Sequence, residues 1–287
     1  MKVPPGSYYR KMHPRKVPVK RKGRIAPGYC LKTDGTKIKD TELEALLLKL
    51  YSYNDPYDPR FYLKVLGSKK LSKYLYEQYG IIVNHKKLHK MRKRLGLVRR
   101  YEPRYTYPVR RSTEHRINRE GILWEADIKF IRTNLEGNIA LLDIIDVYTR
   151  EIVGSYIGKS CKKEDFISLV KEAILWQETI PKIMRTDNGS QFSAIDTRLF
   201  FEKLGIIQEF GMRRHPDSQA HIEAQHANVQ REFIMLNEFN DAEEVHRKYK
   251  VYMDFYHNLR PHASLNYMTP SAFKKLGQKG KIQSIRP

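Results

Sequence analysis

Three carboxylates in this chain have the residue types and the settings to share metal ions. Asp127 lies inside the run LWEADIKFI, Asp187 ends a short apolar run in PKIMRTDNGSQFSA, and Glu223 stands in HIEAQHANVQREF. Hard divalent cations take oxygen ligands of this kind. Two Mg²⁺ ions held about 3.5 to 4 Å apart can activate an attacking oxygen and stabilise a leaving one in an in-line phosphoryl displacement. Each residue also has a plainer reading. Asp-Asn-Gly is a common turn composition, a strand Asp can face water, and most Glu are exposed. Asp143 and Asp146 qualify as ligands equally well by composition, so residue types alone leave the set open.

The partner is indicated by charge. The chain has 287 residues and a formal net charge of +22, an excess that repels itself unless a polyanion offsets it. Residues 1–100 hold 26 Lys/Arg against 7 Asp/Glu, and the remainder holds 28 against 25. One region therefore grips nucleic acid and the other has a different task. Polyanion affinity with a carboxylate cluster points to phosphodiester chemistry. No run approaches the roughly 18 apolar residues of a membrane span, and the basic start lacks the apolar stretch of a secretory signal, so a cytoplasmic protein is expected. Cys30 and Cys161 are too few and too far apart for a disulfide framework or a zinc cluster.

Several elements must position these groups. Residues 1–39 read as a basic, partly disordered arm. In DTELEALLLKLY, Thr41 and Glu44 form a capping-box pattern ahead of Leu43, Leu46, Leu47 and Leu50 at helical spacing. SKKLSKYLYEQY is a second helix stopped by Gly80, and Asn84 caps a third, HKKLHKMRKRL, which Gly96 ends. Leu88, Met91 and Leu95 fall on one face of that third helix, with Lys86, Lys87, Lys90, Arg92, Lys93 and Arg94 around the rest. Residues 40–98 thus read as a small all-α helix-turn-helix domain whose last helix offers these six residues to a DNA major groove. A solvated amphipathic helix is the plainer alternative. Residues 99–119 form a basic, aromatic linker suited to phosphates and unstacked bases, or a surface strap.

From Leu123 the pattern changes to alternation, with Trp124, Ala126, Ile128 and Phe130 on one side and Glu125, Asp127 and Lys129 on the other. The order read onward is βββαβαβα, an α/β domain over 120–275 with a mixed sheet flanked by helices, then a basic tail over 276–287. Its fourth strand ends at Asp187, and its last helix starts near Gln219.

Taken together, WEADIKFI, IIDVYTREIVG, RTDNGSQF and HIEAQHANVQREF follow one another, with thirty-five residues between Asp187 and Glu223, in a way that resembles the integrase-type DDE transposases. More narrowly, the chain resembles the catalytic second-frame protein of the insertion-sequence family numbered three. VPPGSYYRKM, LGSKKLSKYLYEQYGIIVNHKKLHKMRKRLGL and DFYHNLRPHASLNYMTP extend that resemblance over nearly the whole length. It implies an RNase H-like core, a five-stranded mixed sheet flanked by helices, in which Asp127, Asp187 and Glu223 are the catalytic residues and bind Mg²⁺ or Mn²⁺ as two ions. It implies cleavage of element ends by water and joining of the freed 3′-hydroxyl to another DNA strand, without a covalent enzyme intermediate. Asn188, Gly189 and Gln191 match neighbours of the second Asp: Gly189 is expected to take an unusual backbone angle, and the amides to orient ligands or DNA. Asp146 and Arg150 match a D-x-x-[ST]-R element read as support for the second strand. Implied partners are double-stranded DNA, as element ends and target, an upstream-frame protein as partner or fusion, and further copies in a multimer on DNA, in a bacterial cytoplasm near the nucleoid.

The chain departs from the family at two places. Gln230 stands where many relatives carry Lys, so Arg231 would have to reach round the helix to touch DNA, and RRHPDSQAHIE replaces the commoner Gly-Asn-Pro-x-Asp-Asn-Ala wording. Among rivals, HNLR at 257–260 with Tyr267 evokes a tyrosine recombinase, but the spacing is short. His221 and His226 are five apart, not a zinc-protease pair, and are expected to face DNA or solvent. A non-catalytic helix-turn-helix binder with a degenerate core, and a ribonuclease H acting on hybrids, are further alternatives. The presence of all three carboxylates separates the enzyme from the first, and the N-terminal binding region and closing segment separate it from the second.

Overall fold

Alternation too short to register in the sequence organises the beginning of the ordered chain. A computed structural model describes residues 27–98, 115, 117–211 and 220–278; residues 1–26 of the expected arm, most of the expected linker and residues 279–287 lie outside the described residues. Strands β1 (Tyr29–Lys32) and β2 (Lys37–Lys39) form an antiparallel hairpin, and β1 also pairs with β3 (Ile81–Ile82) in the order β2-β1-β3. Cys30, Ile38 and Ile81 are buried by this sheet. The arm reading therefore stops short of residue 29, and the small domain is not all-α.

Three helices complete that domain: α1 (Asp40–Tyr51), α2 (Ser68–Tyr79) and α3 (His85–Arg94). Because β2 runs extended up to Lys39, α1 starts there, and the Glu42 carboxylate accepts the Lys39 N–H at 3.3 Å. The Thr41 and Glu44 capping box is thereby corrected by two residues. Gly80 closes α2 at φ +63°, a left-handed angle that favours glycine, and Asn84 Oδ1 accepts the Lys86 N–H at 2.8 Å to start α3.

Between α1 and α2 a 3₁₀ turn (Pro59–Val65) goes unannounced by any periodicity. It inserts the fully buried Tyr62 among Tyr252, Phe255 and Phe233, with ring centroids 5.3, 5.5 and 6.5 Å away. One apolar cluster accordingly runs from Leu43, Leu47 and Leu71 to Val229, Phe233 and Tyr252. Burying such large side chains contributes about 1.5–3 kcal/mol each, and here the contribution joins the small domain to the larger one.

The larger domain is built on β4 (Leu123–Thr133), which pairs antiparallel with β5 (Gly137–Asp146); β5 pairs antiparallel with β6 (Ile152–Gly158). On its other side β4 pairs parallel with β7 (Ile183–Thr186), and β7 parallel with β8 (Ile207–Phe210), giving the order β6-β5-β4-β7-β8. Parallel neighbours need crossovers, supplied by α4 (Lys163–Gln177) before β7 and α5 (Ile195–Leu204) before β8. This is the RNase H-like sheet the sequence led us to expect. Trp124, Ala126, Leu142 and Ile144 pack under Phe166, Val170, Phe192 and Phe201 on one face. The opposite face is covered by α6 (Ala220–Asn228), its π-helical continuation Val229–Phe233, and α7 (Ala242–Asp254). The side of β4 that reads as polar is therefore not a solvent face. The chain closes with α8 (Pro270–Gln278).

Candidate active site and DNA-facing surface

On the α6 side, one row of residues crosses the sheet. Asp127 in β4 is opposite Asp143 in β5, and Asp143 is opposite Ser155 in β6. Thr186, the last paired residue of β7, is opposite Ala126, so Asp187 leaves its strand beside Asp127. Asp127 is half-buried and Asp187 exposed. The Asp127 Oδ1 accepts the Ile128 N–H at 2.8 Å, and the Asp187 Oδ1 accepts the Gly189 N–H at 2.8 Å.

Helix α6 lies over this row. Its Glu223 is exposed, and one turn later His226 places Nδ1 3.2 Å from Asp127 Oδ2 and Nε2 3.9 Å from Asp143 Oδ2. His226 is buried and His221 half-buried, correcting the expectation that both face DNA or solvent. Burial, reinforced by Arg150 and Arg185, pushes the His221 pKa down to about 3. Asp143 has no exposure and accepts the Tyr249 hydroxyl at 2.6 Å and the Ser155 hydroxyl at 2.7 Å. Burial pushes its carboxyl pKa up, with His226 opposing.

Two residues back, a second row holds α6 in place. Glu125, Arg185 and Glu209 are cross-strand neighbours in β4, β7 and β8. Arg185 Nη1 lies 3.3 Å from Glu125 Oε1, its Nη2 lies 3.0 Å from Glu209 Oε2, and His115 Nε2 lies 2.6 Å from Glu209 Oε1. The other Glu125 oxygen accepts the His221 and Ile222 N–H groups at 3.1 and 3.0 Å. These donors lie in the first described turn of α6, where a carboxylate suits the helix dipole. Glu125 thus ties that turn, and Glu223 one residue on, to the sheet. Sequence reasoning missed this role: alternation shows which side of β4 Glu125 occupies, whereas its pairing with Arg185 and Glu209 exists only once the register is known.

The turn after β7 has a different logic from the one expected. Gly189 sits at φ −58°, an ordinary angle, so the expected unusual backbone is corrected. The Gln191 amide and the Asp187 carboxylate lie close over its Cα, so a Cβ there would make the end of the Gln191 side chain swing aside. Asn188 Nδ2 donates to the Gly211 carbonyl at 3.3 Å, tying the ends of β7 and β8. Asp146 accepts the Gly121 N–H and the Trp124 indole N–H through Oδ2, at 2.8 and 3.0 Å, and the Tyr148 and Thr149 N–H groups through Oδ1, both at 2.9 Å. Arg150 follows at φ +61°. This anchors the β5–β6 turn and leaves Asp146 away from the row of Asp127.

Among the described residues, no group of three or more His, Cys, Asp or Glu side chains is gathered closely enough to hold a metal ion. The register supplies a pair, Asp127 and Asp187, with Glu223 carried on the helix whose His226 touches Asp127. These are all carboxylate oxygen donors, the set that fits Mg²⁺ or Mn²⁺. Like charges side by side on a sheet are also destabilising, and a cation relieves that.

On the small domain, an open groove of about 450 Å³ is lined by Ser68, Lys69, His85, Lys86, His89 and Lys90. Lys86, Lys90, Lys93 and Arg94 are exposed, with Arg94 paired to Glu44. Two expected contacts are corrected. Arg92 shares the apolar face of α3, is buried, and donates to the Ser68 hydroxyl at 2.9 Å. Lys87 Nζ donates to the Pro27 and Tyr29 carbonyls at 2.8 and 2.9 Å and lies 2.6 Å from Asp40, bracing the hairpin. Lys69 and His89 were not singled out from the sequence, though His89 falls on the exposed face of α3. In the core, i→i+5 winding over Val229–Phe233 sets each following side chain back around the helix. Arg231 on this stretch donates from Nη2 to Asn228 Oδ1 at 2.9 Å. The residues that evoke a tyrosine recombinase have structural partners: His257 Nε2 accepts the Ile152 N–H at 3.0 Å, and buried Arg260 grips Glu232 at 2.6 and 2.8 Å.

Two family signatures, both described as integrase core domain, match residues 117–216 and 204–270. The 31 kDa protein of insertion element IS600 from Shigella sonnei is 26% identical over 224 residues, covering 73% of this chain and 81% of its own. The transposase of insertion sequence element IS904 from Lactococcus lactis is 26% identical over 227 residues, covering 73% and 87%. Among solved structures, a simian T-cell lymphotropic virus intasome matches with TM-score 0.48 and 16% identity over 65% of this chain and 68% of that one. The HTLV-2 integrase catalytic core in complex with magnesium matches with TM-score 0.42 and 14% identity over 53% and 95%.

Proposed function

We propose, for a chain that belongs to the integrase-type transposases and is a DDE-type polynucleotidyl transferase, that Asp127, Asp187 and Glu223 hold the divalent metal of its strand-cleavage and strand-transfer reaction. The observation that carries this reading is the cross-strand row in which Asp187, just past the end of β7, comes beside Asp127 within the parallel strand β4. Mg²⁺ or Mn²⁺, as two ions, supplies there the activation of an attacking oxygen and the stabilisation of a leaving one. The chain's own residues do the positioning. Glu125 ties the first described turn of α6 to the sheet and so guides the approach of Glu223, while the Gly189 N–H holds the Asp187 carboxylate. Exposed Lys86, Lys90, Lys93 and Arg94 on α3, with Arg231 on the core, neutralise backbone phosphates. The substrate is double-stranded DNA, both element ends and target, bound by a multimer, with an upstream-frame protein as partner or fusion, in the bacterial cytoplasm at the nucleoid.

The test is a strand-transfer assay with Mg²⁺ on element-end duplexes, using the chain alone and fused to the upstream-frame product. Asp187→Asn should lose at least roughly 10³-fold of the activity of the active form, with an unchanged unfolding midpoint. Equal activity in the two proteins overturns the ligand assignment.

A further inference from the structure

The row that carries Asp127 contains a buried acid and a buried imidazole that the reaction does not use. Asp143 is enclosed, with Tyr249 from α7 and Ser155 from β6 donating to its two oxygens. Against it stands His226, only 7% exposed, whose Nδ1 is within hydrogen-bonding distance of Asp127 and whose Nε2 has no hydrogen-bond partner among the described residues. A histidine kept for packing would be expected to satisfy both nitrogens, and an apolar ring of the same size would fill this space without the desolvation cost. The ring instead faces two carboxylates, and only the contact with Asp127 is short.

We propose that His226, seated between Asp143 and Asp127, is a positioning residue that orients the Asp127 carboxylate for metal binding. The inference rests on the reading of Asp127 as a metal ligand. The Ile128 N–H donates to Oδ1 and the His226 ring lies 3.2 Å from Oδ2, so each oxygen has a neighbour that favours this orientation of the side chain. Each carboxylate oxygen keeps a lone pair for a cation, because each accepts one neighbour and offers about two sites. The Asp143 carboxylate, fixed by Tyr249 and Ser155, forms the wall behind the ring. Glu223 lies three residues before His226, on the same side of α6, so seating the ring also fixes the height of Glu223 over the row.

The test is a titration of the full chain with Mn²⁺, following free Mn²⁺ by electron paramagnetic resonance, with thermal unfolding measured in parallel. Asp127→Asn should abolish the binding. His226→Phe should weaken it about 10-fold, the loss typical of groups that orient a ligand, with an unfolding midpoint equal to or above that of the wild type. His226→Asn, which keeps an N–H, should recover most of the affinity. If His226→Phe lowers the midpoint and leaves Mn²⁺ affinity unchanged, the ring is structural and the proposal fails while the metal reading stands. If Asp127→Asn binds Mn²⁺ like the wild type, the metal reading fails and this proposal with it. Should His226→Phe not fold, Tyr249→Phe removes only the hydroxyl that braces Asp143; a loss of about threefold is expected, and unchanged affinity overturns the proposal.

Discussion

Two rows of charged residues cross the same face of one sheet, two positions apart, and they are composed in opposite ways. Glu125, Arg185 and Glu209 alternate in sign, and each meets its neighbour at hydrogen-bonding distance. Asp143, Asp127 and Asp187 share one sign, with a single imidazole among them. Cross-strand pairs of opposite charge stabilise a sheet, and like pairs destabilise it. The first row is balanced as it stands, whereas the second sets like charges side by side, an arrangement that a cation would offset on the proposed reading. Charge sign along a register then separates the row that holds the sheet together from the row proposed to bind metal.

That contrast can be broken experimentally. Asp127→Asn should reduce strand transfer by at least roughly 10³-fold while leaving stability equal or higher, because a like charge has gone; parallel loss of stability would remove the distinction. Glu125→Ala should behave inversely in unfolding experiments, costing about 1.5–3 kcal/mol by removing the buried carboxylate that accepts the His221 and Ile222 N–H groups and one of the partners of half-buried Arg185, which keeps Glu209. Urea midpoints near those of the wild type would show that the first row is not structural.

The edge strand β6, which carries Ser155 of the second row, adds a pH dependence. Burial pushes the His257 pKa from the usual 6.5 down to about 4, and its Nε2 accepts the Ile152 N–H that starts β6. A base whose folded value is depressed contributes stability above pH 6.5 and loses it as pH falls toward 4, about 2–3 kcal/mol in all. His221, depressed to about 3, adds in the same direction. Unfolding midpoints between pH 7.5 and 4.5 should show a flatter slope in His257→Gln than in wild type, and identical slopes would reject the assignment. The smallest effect is expected for Gly189→Ala, whose backbone angles suit alanine and whose nearest neighbour, the end of the Gln191 side chain, can swing aside: stability should change by about 1 kcal/mol or less and strand transfer little, read from the same two assays.

Much of this was legible in the sequence where periodicity is long. The alternation from Leu123, the leucine spacing of α1 and the Asn84 cap of α3 lead directly to their elements. The hairpin over 29–39 and the 3₁₀ turn over 59–65 were not, because three or four residues of alternation do not rise above chance. Asp127 and Asp187 could be named individually, yet their adjacency depends on a parallel pairing across some sixty residues. Asp143 and Asp146 remained equal candidates; both are buried, and the register separates them, Asp143 lying opposite Asp127 and Asp146 opposite Trp124. Arg92 shows the limit of counting charge: a basic residue at the spacing of Leu88 and Leu95 goes inward. Gly189 shows a second limit, since a glycine at an ordinary backbone angle and one needed for a left-handed angle look alike in sequence.

The 3₁₀ turn that lodges Tyr62 among Tyr252, Phe255 and Phe233 has a consequence for how the protein measures DNA. A shared apolar core packs the small domain against the sheet, a ruler rather than beads on a string. On the proposed reading, in which α3 holds DNA and Asp127 binds the metal, a sequence held at α3 meets that row at a set helical phase. Inserting half a turn of duplex, about five base pairs given 10–10.5 per turn, would present the opposite face of the double helix to Asp127, and a full turn would restore it.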